Sequence, residues 1–228
     1  MDQKLIIHAT RKLEVLISIL QSESLRLSYS KEDFCIGEKK ISSAAHPMVC
    51  FCESSSRDLP TTKITYGRYG IAFSTDWALT KRISPVLYVD GNSLAAKGLE
   101  SLLRARQNKE SSKLPKHLRL PIMEIKCFTK NVRGYNSYLK QNDFDFKSEN
   151  EWRYVPRKSD IDGNLISQNK STYLKNPNRY NKKVEPYPLR FKMLDIKSVY
   201  VSNSSEIPVI EKLLPQLRTR IHVSKWKT

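Results

Sequence analysis

Apolar and polar positions along this chain recur with two different periods, and the changes of period mark its elements. Leu5-Ile6-Ile7-His8 reads as a short strand that delivers His8 to a strand–helix junction. From Thr10 to Gln21 the apolar positions Leu13, Leu16, Ile17 and Leu20 fall at helical spacing, with Thr10 as a candidate N-cap. Leu25–Ser28 alternates as a strand does, and Pro47–Cys52 is a second, more apolar strand. A polar loop runs to Thr62. Tyr66–Ser74 is then a glycine-punctuated turn entering a strand, followed by a short helix over Asp76–Lys81 and a strand over Pro85–Val89. Residues 92–107 form a helix on Leu94, Leu99, Leu102 and Leu103, and a basic linker continues to Leu120. Strands are expected at Ile122–Thr129, Phe144–Val155, Ile196–Val201 and Ile221–Trp226. A helix over Glu206–Leu217 is interrupted at Pro208 and Pro215. The sum is an α+β fold, a mixed or antiparallel sheet with peripheral helices, in one domain over residues 1–228.

One stretch resists both periods. Residues 156–190 carry eight Lys/Arg against three Asp/Glu, with Tyr173, Tyr180 and Tyr187 interleaved, and read as a long basic loop or insertion. The whole chain shares that bias: 40 Lys+Arg against 23 Asp+Glu leave a net charge of +17. An excess of this size is the electrostatic footprint of a polyanion binder. Lys170, Tyr173, Lys175, Arg179, Tyr180, Lys182 and Lys183 are the candidate nucleic-acid contacts, tyrosines for stacking and cations for phosphates. No apolar run reaches the ~18–20 residues of a transmembrane helix, and Met1–Lys4 opens no secretory signal, so a cytoplasmic protein with no membrane contact is expected. Cys35, Cys50, Cys52 and Cys127 are then expected as reduced, structural thiols. Adding His46 to Cys50 and Cys52 matches no familiar zinc spacing, so no metal site is expected.

Three segments hold residues suited to chemistry. His8-Ala9-Thr10 sits at the strand–helix junction, where from these residues alone a solvent-tipped histidine and an N-cap account for it better than a ligand does. In Tyr66–Ser74, two of the chain's seven glycines stand three apart between aromatics, which serves a structural turn or close approach of a ligand to the backbone. Glu149-Asn150-Glu151-Trp152-Arg153, read as a strand, puts Glu149, Glu151 and Arg153 on one face and Trp152 in the core. Two carboxylates on one face raise the pKa of one of them, or accept hydrogen bonds from a sugar.

Taken in order, His8-x-Thr10, the leucine-rich helix, Met48-Val49-Cys50-Phe51, Tyr66-Gly67-x-Tyr69-Gly70-Ile71-x-Phe73, Pro85-Val86-x-Tyr88-Val89 and Glu149-x-Glu151-Trp152-Arg153 resemble the AbiGi-type abortive-infection family of phage defence. The resemblance covers most of residues 5–155. That family carries the label of an antitoxin. Its motif order also resembles the ADP-ribosyltransferase fold, DarT-like enzymes included, and so implies a split mixed or antiparallel sheet and NAD as cofactor. Carried across, the resemblance makes His8 and Thr10 the ribose-binding pair, Tyr66 or Tyr69 the ring stacked on nicotinamide, and Glu151, or else Glu149, the catalytic carboxylate. Gly67, Gly70 and Phe73 belong to the cofactor segment, with Arg11 or Arg68 on the pyrophosphate. Two positions depart from the transferase pattern: Ala9 replaces its glycine, and Ala72 replaces its aromatic residue. The implied function is an NAD-dependent ADP-ribosyltransferase toxin of an abortive-infection system, modifying RNA or single-stranded DNA and held off by an antitoxin or chaperone-like partner. The alternative is a non-catalytic defence module or antitoxin that binds a toxin or nucleic acid.

Overall fold

A computed structural model describes residues 4–62, 64, 66–107 and 114–226. β1 (Lys4–Thr10) leads into α1 (Leu13–Ser22), which seats Leu16 and Leu20 in the core. Thr10 is therefore strand and not an N-cap: it pairs with Tyr69, and α1 begins after Lys12 without a side-chain cap. β2 (Ser24–Leu25) precedes a long hairpin of β3 (Ser28–Ile36) and β4 (Lys39–Ser55), most of which lies outside the expected Leu25–Ser28 and Pro47–Cys52 strands. β5 (Tyr69–Ser74) ends at Ser74, whose side chain accepts from the Trp77 N–H and caps α2 (Thr75–Thr80). The strand expected at Pro85–Val89 is two, β6 (Ser84–Pro85) and β7 (Leu87–Val89), because the chain bonds to Glu151–Arg153 as far as Val86 and then pairs with Thr129–Asn131.

α3 (Leu94–Gln107) packs on α4 (Lys116–Phe128), and residues 108–113 of the expected linker lie outside the described residues. α4 replaces the strand expected at Ile122–Thr129. Its buried positions Ile122, Met123, Lys126 and Cys127 follow the helical period, and the strand proper, β8 (Thr129–Asn131), starts only where α4 stops. β9 (Arg133–Asn136) and β10 (Gln141–Asp145) form a separate hairpin. The single strand expected over Phe144–Val155 is broken by a 3-10 turn at Phe146–Glu149 and by Asn150 in the left-handed region, so that β11 is only Glu151–Tyr154.

The stretch expected as a loop is ordered. After β12 (Gln168–Asn169), the Asn169 side chain caps α5 (Lys170–Lys175), and Asn176 with Pro177 opens α6 (Pro177–Val184). β13 (Leu189–Arg190) pairs with β2, and β14 (Ile196–Val201), α7 (Ile207–Leu213) and β15 (Ile221–Val223) complete the chain.

The result is a mixed α+β fold on an open sheet ordered β15-β14-β5-β1-β4-β11-β6, with β3 and β12 also on β4. Its pairs are antiparallel except β14–β15. β1 is buried on both faces: Ile6 joins the main core with Leu16, Phe73 and Trp77, while Leu5 and Ile7 join Ala72, Tyr200 and Trp226 in a smaller core behind. β4 is longer than either partner that lines its length. β3 pairs with it up to Met48 and β1 only from Cys52, so Val49–Phe51 pair with neither. β1 then stays on β5 through Thr10, and a cavity opens where β1 and β3 part. Among the described residues no helix is long and apolar enough to cross a membrane.

Candidate functional site

The cavity has a volume of about 260 Å³ and is walled by Ile7–Ala9 of β1, Ser28, Ser30 and Glu32 of β3, and Met48–Cys52 of β4. Tyr66 and Lys130 close it, with Glu149 and Glu151 at its floor. His8 sits in the gap left by the parted strands. Its Nδ1 lies 2.9 Å from the Cys50 carbonyl oxygen, which can only accept, so Nδ1 carries the proton and Nε2 is the acceptor. Loss of water around the ring lowers its pKa and keeps the imidazole neutral.

The charged floor depends on the αL turn at Asn150 (φ 42°), a conformation asparagine tolerates better than most residues. That turn aims both neighbours at one ammonium: Lys130 Nζ donates to Glu149 Oε2 at 2.6 Å and to Glu151 Oε2 at 2.9 Å. Arg153, wholly buried, grips Glu151 by two bonds of 2.7 and 3.0 Å and donates also to the Cys127 carbonyl and Glu32. The two carboxyls respond oppositely. Burial raises the pKa of Glu149 against the pull of Lys130, whereas for Glu151 the Arg153 and Lys130 charges outweigh burial and hold it at about 2. Burial also opposes the charge on Lys130, but Glu151, Glu32 and Glu149 keep its pKa well above the ordinary value. Tyr66 donates to Glu149 Oε1 over 3.4 Å. Burial raises the Cys50 thiol well above its ordinary pKa and Cys52 to about 12, so neither offers a thiolate near neutrality. The four cysteines are free thiols, and His46 contacts Cys127 and the Ile166 carbonyl.

Beyond Tyr66 lies a second, open groove formed by Arg11, Gly67, Arg68, Tyr69, Tyr138 and Ser202. Gly67 has φ 128°, and a Cβ there would fall 2.1 Å from the Thr10 carbonyl oxygen, so only glycine lets the chain pass β1 this closely.

The structure thus brings together His8, Tyr66, Glu149 and Glu151 of the expected site and sorts the rest elsewhere. Arg11, Gly67, Arg68 and Tyr69 line the outer groove, where Tyr69 is tied to Glu206 at 2.8 Å. Gly70 is buried in β5 against Ile7 and Trp226. Phe73 lines neither the cavity nor the groove. Its ring stacks on Trp77 at 3.9 Å in the core, because Ile71 and Phe73 share the face of β5 that meets α1 and α2. Tyr173 is likewise a core residue, packed on Tyr29, and Tyr180 packs beside it while accepting from Gln168. Lys170 pairs with Asp33, and Lys175, Arg179, Lys182 and Lys183 are exposed. Sequence reasoning missed Lys130, Glu32 and Tyr138. Only Glu32 left a trace, in the period-two run Ser28, Ser30, Glu32 that faces the cavity.

A family model described as "Putative abortive phage resistance protein AbiGi, antitoxin" matches residues 23–202. No curated protein and no solved structure matches the chain.

Proposed function

The chain belongs to the AbiGi family of abortive phage resistance, and from that premise we propose that it acts as an antitoxin, by binding its toxin. The observation that carries the reading is the α3–α4 pair. It leaves Leu94, Leu102, Leu118, Leu120 and Ile125 exposed beside the cations Lys97 and Lys116, with Arg104 paired to Glu100. Exposed apolar side chains on one helical pair point to a protein contact, and the lysines beside them fit an acidic partner. Co-expression should relieve the toxicity of the cognate toxin and copurify it. Leu102→Asp with Ile125→Asp should abolish both effects while leaving the melting temperature near that of the parent. A chain that is toxic by itself and relieves no toxin would overturn this reading.

The cavity favours a second reading, an NAD-dependent ADP-ribosyltransferase. The motifs single out His8, Tyr66, Glu149 and Glu151, and these four lie around one space. Ligand pockets run to roughly 300–1,000 Å³, so this cavity suits the ring-bearing half of a dinucleotide, with Arg11 and Arg68 outside for the pyrophosphate. NAD would supply the glycosidic bond to be broken. His8 Nε2 would accept a ribose hydroxyl, Tyr66 would lend the ring that Ala72 cannot, and ionised Glu151 would stabilise the positive charge that develops on the ribose. Such a carboxylate is worth roughly 3–4 kcal/mol, so Glu151→Gln should slow transfer ~10²–10³-fold. Incubation with labelled NAD and RNA, single-stranded DNA or a protein lysate tests it. Neither transfer nor NAD turnover, with no rise in melting temperature on adding NAD, would exclude it.

A further inference from the structure

We propose that the outer groove is a binding surface for single-stranded nucleic acid, with tyrosines as the stacking platform and Arg11 and Arg68 as the phosphate contacts. Tyr138, 47% exposed, lines the groove, and two further exposed rings lie beside it, Tyr66 at 44% on the cavity side and Tyr135 at 60%. They are arranged, not scattered. Tyr66 and Tyr138 stack with centroids 6.1 Å apart, and the Arg11 guanidinium lies 4.3 Å over the other partner ring, that of Tyr138. Tyr135 stands on the same β9–β10 hairpin, whose tip overhangs the groove through Tyr138 and Leu139. Rings kept in water beside guanidinium groups are what unpaired bases stack on, and the cations answer the phosphates between them.

The neighbouring charges bear on the choice of ligand. Glu206, beside the groove, accepts from the Tyr69 hydroxyl and the Ser202 and Asn203 N–H groups. The inner cavity sets Glu32, Glu149 and Glu151 against Arg26, Lys130 and Arg153, so it offers a phosphate no surplus of positive charge and leaves the outer groove to it. The α5–α6 surface, by contrast, exposes Lys175, Arg179, Lys182 and Lys183 but turns the Tyr173 ring inward. It can attract a polyanion without stacking on it. A duplex hides its base faces, so the outer groove should separate single from double strands.

This inference needs neither the toxin nor NAD, and the full chain alone tests it. Fluorescence anisotropy with labelled oligo(dT), oligo(U) and a duplex of equal length, over a salt series, is the measurement. Binding of either single strand, tighter than the duplex, is expected. Tyr138→Ala should weaken it roughly 5- to 150-fold, the range one base–aromatic stack is worth, and Tyr138→Phe should restore most of it. Arg11→Ala and Arg68→Ala should each reduce the slope of log affinity against log salt by ~0.7, one phosphate contact on a single strand. Equal affinity for the duplex would overturn the proposal. So would a Tyr138→Ala variant that binds like the parent, or a loss found only on replacing Lys182 and Lys183.

Discussion

Lys130→Met isolates what the buried ammonium does. Its side chain is 10% exposed, and those of Glu149 and Glu151 are 6% and 7%. The loss should fall unevenly. Glu151 keeps both bonds from Arg153, while Glu149 is left only the 3.4 Å contact with Tyr66. Stranding one buried charge costs about 3–5 kcal/mol, which is the expected destabilisation at pH 7.5. Glu149 can escape by taking up a proton, and its pKa already lies above the ordinary carboxyl value. The sign follows: the proton bound in the folded state is gained as pH falls, so the penalty should shrink by pH 5. Adding Glu149→Gln to Lys130→Met removes the stranded charge and should recover ~1–3 kcal/mol, a coupling typical of groups in contact. Urea unfolding followed by tryptophan fluorescence at both pH values measures the cycle. If Lys130→Met does not fold, recovery of folding in the double variant carries the same information. Effects that add within ~0.5 kcal/mol, or a penalty equal at the two pH values, would refute the shared network.

Acidification should weaken the fold through His46, whose pKa burial and Lys126 lower to about 3. Its neutral form is stabilising above the unfolded value near 6.5. Between pH 7.5 and 5 the loss is about 2 kcal/mol, with His8 acting in the same direction and Glu149 against it. His46→Gln should flatten this part of the pH profile of the urea midpoint, and an unchanged profile would remove His46 as the cause. Gly67→Ala should cost roughly 1–3 kcal/mol through a strained backbone beside Thr10. Gly98→Ala, in α3 with open space around it, should gain ~0.5–1 kcal/mol, and urea unfolding measures both glycine variants.

Segments buried on both faces, or on one with a clean period, were legible from the sequence. Leu5–Ile7, Ile71–Phe73 and Ile196–Val201 form strands where their apolar runs place them, and Leu16 and Leu20 face the core from α1. The exchange of strand for helix at Ile122–Cys127 has a physical reason. Lys126 occupies a buried helical position, so the apolar stripe is interrupted by a charge and no longer reads as 3.6. The α5–α6 segment hides in the same way. Its caps, Asn169 and Asn176-Pro177, are present in the sequence, but it buries only Tyr173 and Val184 among polar neighbours. At the candidate site the carboxylates were found but their partner was not. Lys130 reaches them from β8, about twenty positions away in sequence, a separation that period and motif spacing do not bridge.

The surplus of positive charge and the cavity are separate parts of the molecule. The chain as a whole carries +17. Yet around the cavity Glu32, Glu149 and Glu151 face Arg26, Lys130 and Arg153, with no net charge when all are ionised. Tyr66 and Gly67, adjacent in sequence, stand on either side of that boundary, one in the cavity and the other in the groove. Salt therefore discriminates between them. Exposed charges a Debye length apart, ~10 Å at 0.1 M salt, are screened, whereas buried pairs are screened far less. A ligand held by Arg11 and Arg68 should leave as salt rises, and one held by His8, Glu149 and Glu151 should stay. A cavity ligand released as steeply as an oligonucleotide would mean that the two compartments are one site.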